Sequence, residues 1–205
     1  MPTKCFLLLP TKQQRRSLRR YERAVGHSSC LDSKAGYHNA KGIIGIFTSD
    51  EPCSSGPIEG SEFGDQYPVT DGRWPTKCEA CNYLFKDEDE WQIVHETLWV
   101  RQDTGKPVTL GDAPPGAMWD AYWMHDLHTG SDGKCMIVKL PNGNHWDIDG
   151  KASNCNRPKD GHNCWTRNGV PPDLTVSNEG DTCKVGAGSI GSGDYHGFLR
   201  SGVLT

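Results

Sequence analysis

The chain has 205 residues, with 22 Lys and Arg against 26 Asp and Glu; a formal net charge of −4 gives no global case for nucleic acid or a membrane surface as partner. Gly (24) and Pro (13) are abundant and only 35% of residues are hydrophobic, which excludes a long-helix architecture and implies many turns and short strands. No apolar run approaches the roughly 20 residues of a membrane span, so no membrane partner is expected.

In chain order, Phe6 to Leu9 is too short for a signal-peptide core, and no secretion signal is expected. Cys5 to Leu9 reads as a buried strand ended by Pro10. Thr11 then caps a predicted helix from Lys12 to about Val25, with Leu18, Tyr21 and Val25 at helical spacing as its buried stripe. Arg15, Arg16, Arg19, Arg20 and Arg23 fill most of the rest of that helix. They can track nucleic-acid phosphates or pair with the acidic run Asp87-Glu88-Asp89-Glu90, and the paired, solvated face is the ordinary outcome.

Gly26 to Gly72 is loop-rich, with a strand expected at Ile43 to Phe47. Between Lys86 and Arg101 the acidic run favours the start of a helix, whereas Thr97 to Arg101 alternates like a strand, and both readings stay open. Asp112-Ala-Pro-Pro-Gly116 is a firm break, dividing residues 1–111 from 112–205, as two subdomains or as parts of one domain. Beyond it, Met136 to Leu140 and His145 to Ile148 form a predicted hairpin about Asn142-Gly143. Leu174 to Val176 and Phe198 to Leu204, bent at Ser201-Gly202, add short strands. The expected fold class is α+β: mostly short antiparallel strands and loops with an N-terminal helix, stapled by zinc.

Nine cysteines carry the chemistry. Their odd number and the absence of an export signal favour metal thiolates over disulfides. Cys78-Glu-Ala-Cys81 puts two thiolates on one tight turn, where they can share a tetrahedral Zn²⁺ with ligands from elsewhere. Cys30 and His38 are the expected completing pair, with Cys53 as a substitute for either; the bland alternative is a pair of ordinary buried thiols. A second expected Zn²⁺ site draws on Cys155, Cys164, Cys183 and His196, with His162 as a replacement for His196. No Cys-x2-Cys anchors it, and buried cysteines beside solvent-facing histidines would look the same. Whether Cys5, Cys53 and Cys135 are free or ligands is left open.

Thiolate-rich ligand sets make a metal a poor Lewis acid, so these sites are read as structural. His125-x2-His128 with Asp126, and His145 near Asp147 and Asp149, hold the residue types of acid/base or metal chemistry without matching a specific motif. His95-Glu96 lacks a second histidine at helical spacing, and Ser189 lacks the glycine spacing of a nucleophile elbow. Two enzymatic alternatives are kept. One is a metal-dependent hydrolase using His125, His128, Asp147 and Asp149. The other is a His-Asn-His-type nuclease, for which Tyr37-His38-Asn39 is a thin match.

Five blocks carry a resemblance: Arg15-Arg-Ser-Leu-Arg-Arg-Tyr21, Trp74-Pro-Thr-Lys-Cys-Glu-Ala-Cys81, Asp112-Ala-Pro-Pro-Gly-Ala-Met-Trp119, Ile148-Asp-Gly-Lys-Ala-Ser-Asn-Cys155, and Gly186-Ala-Gly-Ser-Ile190 with Tyr195-His-Gly-Phe-Leu199. In these the chain resembles cysteine-rich hypothetical proteins encoded by bacteriophages. That resemblance implies a phage origin and supplies no catalytic residues. The expected role is therefore structural or interactive, in a zinc-stabilised phage protein made in the host cytoplasm, with the virion as one destination. Other phage proteins are the expected partners, with nucleic acid through the five arginines as the alternative.

Overall fold

The computed structural model describes residues 1–22, 29–33, 36–48, 56–57, 67–68, 70–152, 155, 164–178 and 189–205. Its strands in chain order begin with β1 (Thr3–Lys4), β2 (Phe6–Tyr21), β3 (Asn39–Thr48), β4 (Gly56–Pro57), β5 (Glu90–Arg101), β6 (Pro107–Val108) and β7 (Ala117–Asp120). They continue with β8 (Met136–Lys139), β9 (His145–Asp147), β10 (Thr166–Asn168), β11 (Thr175–Ser177), β12 (Ile190–Ser192), β13 (Tyr195–Gly197), β14 (Leu199–Arg200) and β15 (Val203–Leu204). Among the described residues the one helical element is a 3-10 turn, Tyr122–Met124. No helix there is long and apolar enough to cross a membrane.

The architecture is thus nearly all β, which corrects the α+β expectation and its N-terminal helix. Lys12 to Tyr21 of that expected helix lie in β2, a strand of 16 residues that passes through Pro10, and its residues 23–25 lie outside the described residues. Leu18 and Tyr21 stand three residues apart and so read as a helical stripe, whereas in the strand Leu18 and Arg20 are buried at alternate positions; the register shift between Arg16 and Ser17 comes from an extra residue in β3, Ile44. Pro10 is tolerated because it lies between the stretch paired to β7 (Phe6, Leu7) and the stretch paired to β3 (Gln13 to Tyr21). The acidic run opens no helix either: the Asp89 carboxylate accepts the Lys86 N–H at 2.7 Å, closing a turn that feeds β5.

The chain forms two compact units, Pro10–Leu98 and the combination of Met1–Leu9 with Trp99–Thr205, with β2 and β5 running from one into the other. This division differs from the expected 1–111 and 112–205, because the Pro-Pro break at 114–115 is a loop inside one unit. In the first unit β3 lies antiparallel on β2, and β4 on β5. Its interior is aromatic and cationic. The Arg20 guanidinium lies 3.7 Å from the Trp91 ring centroid and 5.4 Å from that of Phe85, while Trp74 meets Trp91 edge-on.

In the second unit β7, β8 and β9 form an antiparallel ladder, with Met118 opposite Val138 and Ile137 opposite Asp147. The start of β2 joins β7 in parallel, and β1, β15 and β14 make a three-stranded sheet. Met118, Met136, Val138, Leu140, Ile148, Leu174, Ile190, Leu199 and Leu204 form its main core. The expected β8–β9 hairpin is present, with Gly143 at a φ of 86°, and so is the bend at Ser201-Gly202.

Candidate metal centre

Cys78 and Cys81 sit on a turn closed by the Lys77–Leu84 bridge, by Cys78 N–H donating to Tyr83 O at 2.8 Å, and by Asn82 N–H donating to Cys78 O at 3.1 Å. Asn82 takes a φ of 63°, which a short polar side chain tolerates, and this lets the chain reverse directly after Cys81. His38 immediately precedes β3. The turn is tied to that strand by Glu79 N–H donating to Asn39 O and by Lys41 N–H donating to the Glu79 carboxylate. Cys30 enters on a loop whose backbone bonds to itself, Cys30 N–H to Gly36 O and Gly36 N–H to Ser33 O.

These elements bring one ligand atom each from Cys30, His38, Cys78 and Cys81 within 4.8 Å of one another. Cys30 Sγ lies 3.6 Å from Cys81 Sγ, and Cys81 Sγ lies 3.1 Å from His38 Nδ1. A tetrahedron with metal–sulfur bonds of about 2.3 Å has sulfur–sulfur edges of roughly 3.8 Å, so this donor set suits a metal ion, and 3.6 Å is far too long for a disulfide. Cys30 and Cys78 are buried. Burial opposes ionisation of Cys78, but the N–H groups of Cys81 and Ala80, the His38 ring and Asn39 N–H outweigh it and bring the thiol down to about 6. Burial, aided by the Cys81 thiol, pushes Cys30 up. His38 Nε2 faces Glu22 at 3.8 Å, a carboxylate placed to orient a ligating imidazole.

All four expected residues of this site are therefore brought together. Sequence reasoning missed Glu22 and Tyr83, which hold the histidine; the Tyr-x-Phe alternation after Cys81 was the available signal. Of the second expected site, Cys183 and its alternative His162 lie outside the described residues, as does Cys53. Cys155 and Cys164 are packed in the main core of their unit, and His196 bonds to Ser189 Oγ at 3.0 Å. Among the described residues no ligand group includes these three.

The arginines of β2 are engaged with neighbouring side chains. Arg15 pairs with Glu96 at 3.0 Å, Arg16 lies over Phe47, Arg19 bonds to the Tyr37 hydroxyl, and Arg20 is buried with its guanidinium donating to Lys86 O. Arg23 lies outside the described residues. Tyr37-His38-Asn39 contributes its imidazole to the metal-ligand group, while the Asn39 amide donates to Ser33 Oγ.

The hydrolase residues divide into separate pairs. His125 Nε2 contacts Asp120 at 2.7 Å, His128 Nε2 contacts Asp147, and Asp149 accepts from Arg167 at 2.8 Å and from Met136 N–H at 2.8 Å. Cys135, which sequence reasoning left unassigned, joins His128 and Asp147 in a second ligand group. Burial, then the Asp147 and Asp149 carboxylates, push its thiol up to about 12. The signal was latent in the hairpin: Cys135 directly precedes β8, on the face that carries Ile137 opposite Asp147. Comparison of the chain with protein-family models, curated proteins and solved structures finds no match.

Proposed function

We propose that this is a zinc-stapled β protein with a structural or interaction role, of bacteriophage origin, with Zn²⁺ held by Cys30, His38, Cys78 and Cys81. The reading rests on one observation: three thiols and an imidazole from three separate loop segments converge within 4.8 Å. Three thiolates with one imidazole favour Zn²⁺ among common divalent ions and complete a closed tetrahedron, leaving no position for a reacting water. The chemistry such an ion supplies is cross-linking of loops. The phage origin and a place in the virion rest on the sequence resemblance.

The partner is expected to be another phage protein. Arg15 and Arg20 already satisfy protein acceptors, which favours this reading over phosphate tracking. Elemental analysis of freshly purified protein should find zinc, and a chelator should lower the melting temperature with no enzymatic activity to lose. Mass spectrometry of purified phage particles should find the polypeptide, and nucleic-acid retention should not respond to Arg15→Ala with Arg19→Ala. Zinc-free protein whose melting ignores chelation would overturn the proposal.

A further inference from the structure

A second group of metal-type donors lies in the unit formed by Met1–Leu9 and Trp99–Thr205. His128 comes from the turn after the 3-10 helix, Cys135 directly precedes β8, and Asp147 ends β9. Their donor atoms all fall within 4.8 Å of one another. Asp147 divides its carboxylate, presenting Oδ2 to His128 Nε2 and Oδ1 to Cys135 Sγ at 3.8 Å. An ordinary His–Asp ion pair does not need a thiol on the other oxygen, and Cys135, though packed in the apolar cluster of Trp99, Trp119 and Ile137, turns its sulfur to Asp147 Oδ1.

The surroundings fix this geometry. Cys135 N–H donates to Asp120 Oδ1 at 3.1 Å, and Met136 N–H donates to Asp149 Oδ2 at 2.8 Å, so the backbone beneath the thiol is pinned on both sides. Position 150 is glycine where a Cβ would lie 2.6 Å from Asp147 Oδ2, so the chain leaves room for that carboxylate. Of the neighbouring carboxylates, the buried Asp149 is paired with Arg167, while the part-exposed Asp147 is the one turned to both His128 and the Cys135 thiol.

We infer that His128 Nε2, Cys135 Sγ and the Asp147 carboxylate form a second, independent site for a divalent transition ion of the Zn²⁺, Co²⁺ or Fe²⁺ class. Nitrogen and sulfur donors select these borderline ions over Mg²⁺ and Ca²⁺, which prefer all-oxygen shells. Three protein donors leave a fourth position for water or a small anion, unlike the closed Cys30, His38, Cys78, Cys81 set. The inference does not depend on the proposed function, since no ligand is shared.

Loading the full chain with ¹¹³Cd²⁺ tests it, because the cadmium resonance moves to lower field as thiolate donors are added. A thiolate-rich resonance is expected from the first site, and a separate resonance at much higher field from the second, which has a single thiolate. His128→Asn should remove only the high-field resonance and lower bound metal by one equivalent, while Cys81→Ser should remove the low-field one. A wild-type spectrum lacking the high-field resonance would overturn the inference, even if His128→Asn proved insoluble. So would a His128→Asn protein with unchanged metal content and spectrum. A low-field resonance alone would leave the proposed function standing.

Discussion

His38 lies flat against Tyr83, with ring centroids 4.1 Å apart and planes 3° from parallel. The imidazole is thereby held between a stacking ring, the Cys81 sulfur on Nδ1 and the Glu22 carboxylate beyond Nε2. Tyr83 is fixed in turn, since its carbonyl accepts Cys78 N–H and its ring meets Phe85 edge-on at 5.9 Å. The ligand's orientation is set before any ion arrives, which limits the ordering entropy that binding must offset.

Tyr83→Leu should therefore weaken metal binding by about tenfold or more, the range seen when groups orienting a metal-bound histidine are removed. Competition with a chromophoric chelator measures this directly. An unchanged affinity would mean that the stacking does not orient the ligand.

Chelation should act locally before it acts globally. The small cluster around the turn consists of Cys30, Ala40, Cys78 and Phe85, with Cys81 and Tyr83 packed against it, so half of its buried members are ligands and few apolar contacts remain without an ion. Hydrogen exchange after chelation, or in Cys81→Ser, should speed up at the amides of Cys78, Asn82 and Phe85, which close the turn onto Tyr83, Cys78 and Thr76. Amides of the β7–β8 ladder should stay protected. Equal loss in both places would show that the ion does not staple this segment.

How far the sequence was legible follows from which signals are local. Cys78-x2-Cys81 and its partners could be read because tetrahedral coordination by thiolates narrows the candidates to a few residues. The β8–β9 hairpin could be read because Asn142-Gly143 allows the positive φ that a tight turn needs. β2 could not, because its arginine-rich polar stretch hides the strand alternation, and because those arginines are stabilised by Glu96, Phe47 and Trp91, none of them near in sequence. Grouping Cys135 with His128 and Asp147 needs the hairpin register and the return of the preceding turn together, which no short motif encodes.

Glu96 should make stability depend on pH. Burial alone would raise its carboxyl, but the Lys41 ammonium at 2.8 Å and the Arg15 guanidinium at 3.0 Å outweigh this and hold it below its ordinary value of 4.5. A carboxyl depressed in the folded state contributes stability that is fully present above 4.5 and is lost as pH falls through the lower folded value. Glu96→Gln should cost on the order of 1 kcal/mol at pH 7 and flatten the acid limb of the stability curve. Urea titrations of both proteins between neutral and acidic pH test this, and parallel acid limbs would refute it.

Gly42 should resist even alanine. It lies in β3 opposite Leu18, where a Cβ would come 2.0 Å from the Arg73 carbonyl oxygen. That carbonyl cannot easily withdraw. Arg73 is clamped to Asp71 through its N–H at 2.9 Å and its guanidinium at 2.6 Å, and the next residue, Trp74, is buried against Trp91 with its indole N–H donating to Pro68 O at 3.0 Å. Gly42→Ala must then shift β3 or break the 71–74 clamp, at a cost of about 1–3 kcal/mol, the usual range for overpacking a close contact. Gly45→Ala in the same strand is the control, since its Cβ would find Phe47 at an ordinary 3.6 Å. A melting temperature lowered in Gly42→Ala and nearly unchanged in Gly45→Ala is expected, and equal effects would rule out this close approach as the reason for the glycine.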